Sequence, residues 1–377
     1  MRIGILTYHR AENYGALLQS YALKTYLEQR GYDVSFVDYW PEYHNDYFRI
    51  FPRIKFRKSS PLMKAYCLYM LVVWGWARLK RKRTFTHFIS EKLGIPSVPK
   101  YNKVSDVCSE FDLVFYGSDQ IWRKQGLPGF PGRDLWYFGS SNVVARKVAY
   151  AASVGASCFE ESEQSEIKRN LSAFHALSVR EESLQESLEV LGISSTLVAD
   201  PVFLLQAERW RELSKESNCK KGRSILVYNL LDSPESEKFA KKLAKKRHLP
   251  IREITKVYGF NKLGRRYIHG ASVQEFLSLI ANAEIVVSNS FHGVAFSILF
   301  QKQFYAVGMG TRADRVRSLL GQLGIENRYI SGDQLEAKEI DYSVIADSLN
   351  RYRAVSESFI EGVLTQGVRD NNVECFK

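Results

Sequence analysis

The stretch from residue 2 to residue 40, "RIGILTYHRAENYGALLQSYALKTYLEQRGYDVSFVDYW", decides the fold. Its opening, "RIGILTY", is an apolar run of strand length that ends at a polar turn. The segment "GALLQSYALKTYLEQRG" (15–31) then puts Ala16, Leu17, Tyr21, Leu23 and Leu27 on one side of a helix that Gly31 closes. A second strand, "DVSFVDYW" (33–40), follows. Strand, covering helix and strand in so short a span predict a parallel sheet with crossover helices.

The alternation resumes further on. "FDLVFYGSDQIW" (111–122) and "KVAYAASVG" (147–155) are buried strands that end in small or polar turns. "HALSVREESL" (175–184) is a strand entering a helix at 181–191, and "TLVADPVFLL" (196–205) closes the series. Pro201 and the polar helix after it mark a domain boundary, giving domains at 1–200 and 201–377. The second half starts over with "SILVYNLL" (224–231), a Lys-rich helix at 234–247, "IREIT" (251–255), a helix at 272–282 and "EIVVSN" (284–289). The expected architecture is two Rossmann-like α/β domains facing a cleft.

The chain has 377 residues, 45% apolar and 25% charged, which suits a folded core and excludes disorder. Its five cysteines, Cys67, Cys108, Cys158, Cys219 and Cys375, never form a CxxC pair, arguing against a disulfide framework or a zinc knuckle. The opening "MRIGILTYHR" is too short for a signal-peptide core, so a cytoplasmic location is expected. The formal charge of +12 is concentrated: 11 Lys or Arg and no Asp or Glu lie between Tyr47 and Ser90.

That basic insertion, at about 45–90, also holds ten aromatics and the run "AYCLYMLVVWGWA" (65–77). Thirteen helical residues span roughly 20 Å, short of the roughly 30 Å hydrocarbon layer. Two readings stand. One is a buried helix whose basic flanks snorkel to solvent; the other is an interfacial patch in which Trp74, Trp76 and "RLKRKR" (78–83) meet anionic headgroups at the inner membrane. Nucleic acid is not an expected partner, because no helix-turn-helix, zinc or RNP pattern accompanies the charge.

Ligands of parallel sheets bind beyond the carboxyl ends of the strands, and five turns stand there: "ENYG", "GSDQ", "SVG", "VRE" and "SNSFHG". In the last, His292 sits where a strand hands over to a helix N-terminus, a place suited to anions. It either donates a proton and pairs with an anion or caps the helix. Arg180 either grips a carboxylate or phosphate with its planar fork or pairs with Glu181 or Glu182. Arg312 and Arg315 add cations beside Gly308 and Gly310. Asp119 is either a base and hydroxyl acceptor or a turn residue satisfying backbone donors. No DxD pair, P-loop, HExxH or GxSxG occurs, so metal-free chemistry on an anionic small molecule is the simplest expectation.

In their order, "ILTYHRAENYGALLQSYAL", "FYGSDQIW", "YAASVG", "SVREESL", "ADPVFLL", "SNSFHGVAFSI" and "RADRVRSLLGQLGIENR" resemble the polysaccharide pyruvyl transferase family over residues 3 to about 330. The resemblance implies a glycosyltransferase-B-like fold, phosphoenolpyruvate as co-substrate with no further cofactor or metal, and a sugar acceptor of a bacterial surface polysaccharide or its lipid-linked precursor. It implies His292 as the catalytic acid. On the donor it places Arg180, the backbone around Ser290, Phe291 and Gly293, and Arg312 and Arg315. Asn13, Tyr14, Asp119 and Gln120 are expected on the acceptor side. A glycosyltransferase of the same fold with a nucleotide-activated sugar is the nearest alternative. A non-catalytic membrane-surface protein is the other.

Overall fold

The computed structural model describes residues 1–48, 56–57, 59–97, 110–126, 132–139, 143–155, 159–217, 222–255, 262–310, 313–331 and 338–373. The first half runs β1 (Arg2–Leu6), α1 (Tyr14–Glu28), β2 (Asp33–Phe36), α2 (Glu42–Tyr47), α3 (Pro61–Leu93), β3 (Leu113–Asp119), β4 (Arg146–Ala152), α4 (Glu161–Leu171), β5 (Ala176–Val179), α5 (Glu182–Val190) and β6 (Thr196–Leu197). These strands pair in the order β2-β1-β3-β4-β5-β6, parallel throughout.

The second half contains α6 (Ala207–Lys215), β7 (Ile225–Tyr228), α7 (Pro234–Arg247), β8 (Ile251–Thr255), β9 (Tyr267–His269), α8 (Val273–Asn282), β10 (Ile285–Ser288), α9 (Phe291–Leu299), β11 (Gln303–Val307), α10 (Ala313–Leu323), β12 (Tyr329–Ile330) and α11 (Tyr342–Val373). Its parallel sheet has the order β12-β11-β10-β7-β8-β9, the doubly wound pattern with a reversal between β7 and β10. Strand β9 escapes sequence reading because its three residues, "YIH", show no usable periodicity.

Helix caps set the boundaries. Asn13 Oδ1 accepts from Gly15 N–H at 3.0 Å and starts α1. The expected helix at 65–77 is the interior of a 33-residue helix: Ser60 Oγ accepts from Met63 N–H, Pro61 takes the first helical position, and Gly94 (φ 72°) ends it. Its buried side carries Met70, Trp74, Ala77, Arg81, Phe85 and Phe88. Trp74 and Arg81 face the protein rather than headgroups, since Trp74 packs on His269 and Arg81 donates to the Glu12 carbonyl at 2.6 Å.

The two sheets are docked through a continuous apolar core. Tyr14 stacks on Phe276, with ring centroids 4.5 Å apart and planes 4° from parallel, and its hydroxyl donates to the Ala271 carbonyl at 2.7 Å. Trp210 packs on Tyr21 of α1 with ring centroids 5.8 Å apart, meets Phe296 edge-on, and donates its indole N–H to the Val202 carbonyl at 3.0 Å. Helix α11 returns to the first sheet, where Ala199 N–H donates to Ser356 Oγ at 2.8 Å and Phe359 packs on Tyr150. The sheets divide near residue 200, while the last helix belongs to both halves. Tyr14→Phe should lower the unfolding free energy by about 1–2 kcal/mol, because the buried Ala271 carbonyl loses its donor. Urea denaturation of the two proteins measures this.

Candidate active site

Both sheets have a reversal in strand order, between β1 and β3 and between β7 and β10, and such points open a crevice beyond the strand ends. Beyond the carboxyl ends of β1, β3, β5, β6 and β10 stand Gly15 in the first turn of α1, Asp119 as the last residue of β3, Arg180, Asp200, and His292 in the first turn of α9. The docked halves bring these five residues together.

The "SNSFHG" turn is fixed by its own small polar side chains. Ser288 Oγ donates to the Tyr228 carbonyl at 2.5 Å and accepts from Ser290 N–H at 3.1 Å. Asn289 donates to the Leu231 carbonyl and accepts from Leu230 N–H, tying β10 to the end of β7. Gly293 is required, since a Cβ there would stand 2.3 Å from Ser288 Oγ. On this base the His292 ring lies flat against the start of α1: a Cβ on Gly15 would be 2.0 Å from Nδ1. Its Nε2 faces Asp200 Oδ2 at 3.5 Å. That separation is too long for a hydrogen bond, and Nε2 has no such partner.

Asp200 also pairs with the Arg180 NH1 group, and Arg180 reaches Ser118 Oγ at 3.4 Å and Asp119 Oδ1 at 3.3 Å. Both members of the pair are fully buried. Burial raises the Asp200 carboxyl, but His292 and Arg180 outweigh it and hold the group down at about 2. Burial disfavours the Arg180 charge, and Asp200, Asp119 and Glu181 more than restore it. Glu181, next in the chain, is buried and pushed up by desolvation despite Arg180 and Arg315 nearby. It accepts from Ser153 Oγ and lies 3.9 Å from Arg315 Nε across the seam. The Phe291 ring is flanked by both cations, at 5.3 Å from Arg180 and 5.9 Å from Arg315.

His292, Arg180, Phe291, Arg315 and Asp119 converge at the seam, and Ser290 and Gly293 form the turn beneath. Arg180 does pair with carboxylates, though they are Asp200 and Asp119 rather than its chain neighbours Glu181 and Glu182. Asp119 plays the turn role as well, accepting from Gln120 N–H at 2.8 Å in a left-handed conformation (φ 75°). Tyr14 is corrected from acceptor contact to core, because its ring and hydroxyl are both committed between the halves. Asn13 spends its side-chain oxygen on the helix cap. Gln120 stands at the rim against Gly155. Arg312 lies outside the described residues.

Sequence reading missed Asp200, Gly15, Ser118, Glu181 and Ser153. The signal for Asp200 was present: Asp-Pro after a strand marks a cap, and Oδ1 indeed accepts from Val202 N–H at 3.1 Å. Beside the cluster, α5 and α10 bound a cleft of about 320 Å³ lined by Glu182, Glu186, Asp314 and Arg317. Among the described residues, no group of three or more His, Cys, Asp or Glu is arranged to hold a metal ion.

Residues 13–310 match the family described as polysaccharide pyruvyl transferase. No curated protein matches the sequence. Among solved structures, the chain is similar to the UDP-GlcNAc 2-epimerase of Neisseria meningitidis bound to UDP-GlcNAc, with 10% identity over 97% of this chain and 100% of that one and a TM-score of 0.51. The corresponding epimerase of Methanocaldococcus jannaschii, in complex with UDP-GlcNAc and UDP, gives 13% identity over 97% and 100% and a TM-score of 0.49. The Neisseria likeness supports a two-domain glycosyltransferase-B-like α/β fold.

The depressed Asp200 carboxyl makes stability depend on acid. Its ionised form is favoured in the folded state, so the contribution is complete above its ordinary value of 3.8 and is lost as pH falls through about 2. Asp200→Asn should cost about 3–5 kcal/mol at pH 7 by stranding a buried guanidinium. The gap to wild type should narrow by about 2 kcal/mol as pH falls from 4 to 2. Urea denaturation at stepped pH checks both.

Proposed function

The chain belongs to the polysaccharide pyruvyl transferase family, and from that premise we propose that it moves the enolpyruvyl-derived group of phosphoenolpyruvate onto a sugar to form a pyruvate ketal. The acceptor in this reading is a galactose-type residue of a bacterial surface polysaccharide or its lipid-linked precursor. The observation that carries it is the His292 ring held between Gly15 and Asp200 at a seam with two buried arginines.

The reaction asks for one acid, several cations and little water. With Nε2 facing Asp200, Nδ1 is the nitrogen that gives its proton to the methylene carbon of phosphoenolpyruvate. Asp200 stabilises the ring while it carries charge. Protonation leaves an oxocarbenium-like carbon, a sugar hydroxyl attacks it and loses its proton, and inorganic phosphate departs. A second hydroxyl adds to the same carbon and closes the ketal. Arg180 and Arg315 face the donor's carboxylate and phosphate, competing with Asp200, Asp119 and Glu181. Burial pushes the Glu181 carboxyl up, which weakens its competition with an anion for the two arginines. The positive end of the α1 dipole adds to the same field.

His292→Gln should lower turnover by about 10²-fold or more with the fold retained. Gly15→Ala should do comparable damage without removing any functional group, because its methyl occupies the ring's place. Circular dichroism confirms folding, and phosphate release measures turnover. The reading itself is tested by incubating the protein with phosphoenolpyruvate and galactoside acceptors, then weighing the products by mass spectrometry. Phosphate release with a mass gain of one pyruvate ketal supports it. Nucleotide release from an activated sugar, with no response to phosphoenolpyruvate, replaces it with glycosyl transfer. Wild-type activity in a folded His292→Gln variant removes the histidine from the mechanism.

A further inference from the structure

Helix α3 is about 50 Å long, and among the described residues its buried side chains lie along one face. That face is seated over the seam: Arg81 holds the turn before α1 through the Glu12 carbonyl, and Trp74 packs on His269 of the second half. Leu62, Tyr66, Val72, Trp76, Lys80 and Arg83 gather on another side of the helix, within about a third of its circumference, and all are exposed. The large apolar members are bare, with Leu62 at 84%, Val72 at 83% and Trp76 at 64% of full exposure. Such a stripe is larger than the scattered exposed side chains of an ordinary soluble surface.

Three observations choose the occupant. The stripe grades from apolar at its start to cationic at its end, and the sequence holds no carboxylate between Tyr47 and Ser90 to oppose an anionic partner. Its exposed rings are tyrosine and tryptophan, whose apolar bodies and polar edges suit the boundary between headgroups and acyl chains. Among the described residues no helix is long and apolar enough to cross a membrane, so the stripe has the composition to lie along a bilayer rather than through it. A second copy of the chain would meet this face with the same carboxylate-free segment and offer its cations no partner of opposite charge.

We infer that the exposed face of Pro61–Leu93 docks on an anionic lipid surface. Leu62, Val72 and Trp76 enter the headgroup layer, and Lys80 and Arg83 pair with the lipid phosphates. The geometry sets the seam and His292 next to that surface, where a lipid-linked acceptor is presented. Only this last consequence rests on the proposed function; the docking itself involves no substrate.

The test is sedimentation of the full chain with vesicles of equal parts phosphatidylglycerol and phosphatidylcholine, and with phosphatidylcholine alone. Binding to the anionic vesicles at about 0.02 M salt, falling steeply by about 0.5 M as the Debye length shrinks, is the expected result. Each neutralised cation removes about fivefold in affinity, so Lys80→Gln with Arg83→Gln should lose on the order of 25-fold. Val72→Glu with Trp76→Glu should abolish binding. Both variants lie on the exposed face, so their circular dichroism and their turnover on a soluble acceptor should match wild type. No sedimentation of wild type with anionic vesicles at low salt overturns the inference. So does binding that survives the Val72→Glu, Trp76→Glu change, or light scattering that shows a dimer dissociated by the same change with no vesicle binding. Vesicle binding by a protein that never releases phosphate from phosphoenolpyruvate upholds the surface and rejects the chemistry.

Discussion

The pair between Asp200 and Arg180 is the constraint on which the site depends. A guanidinium and a carboxylate removed from water cost several kcal/mol each, and only close mutual placement with further partners offsets that. The partners here come from separate strand ends: Asp119 and Ser118 from β3, Arg180 from β5, Asp200 from β6. The other half supplies His292, which faces the same carboxylate, and Arg315, which faces Glu181. The cluster is therefore complete only when both halves are docked, and its charge state is a property of the docked protein.

What docks the halves is apolar. Tyr14 on Phe276 and Trp210, packed between Tyr21 and Phe296, form a core that passes from one sheet to the other. The cleft that the sequence suggested is here a closed seam, with His292, Arg180 and Arg315 all buried. Parting the halves along their whole contact would expose those rings, at about 1.5–3 kcal/mol for each fully uncovered side chain. Movement on the side of α5 and α10, where the cleft is lined by polar and charged groups, uncovers far less apolar area. Substrate access is thus cheapest from the polar edge, beside Glu181 and Arg315.

The sequence made the fold legible where a pattern was long and repeated. Helix α7 at 234–247 and strand β8 at 251–255 fall where periodicity put them. Strand β9 and the length of α3 were illegible for opposite reasons: three residues carry no period, and a helix with apolar residues all round shows no preferred face. The site was half legible. His292 and Arg180 announce themselves as polar residues in turns after buried strands. Asp200 was hidden because its partners are 20 and 92 residues away along the chain, and nothing local distinguishes a carboxylate that caps a turn from one that also holds two cations.

Gly15 shows why the "ENYG" turn is more than a helix start. Asn13 caps the helix, Tyr14 turns inward to clasp the second half, and Gly15 is left bare where His292 arrives. Three consecutive residues thus perform three different tasks, and each fixes the next. The cap sets the first helical turn, that turn aims Tyr14 at Phe276, and the resulting approach leaves no room for a side chain at position 15. Any residue larger than glycine would force a choice between the tyrosine clasp and the histidine's place, which is why a turn in the first half governs the chemistry of a side chain in the second.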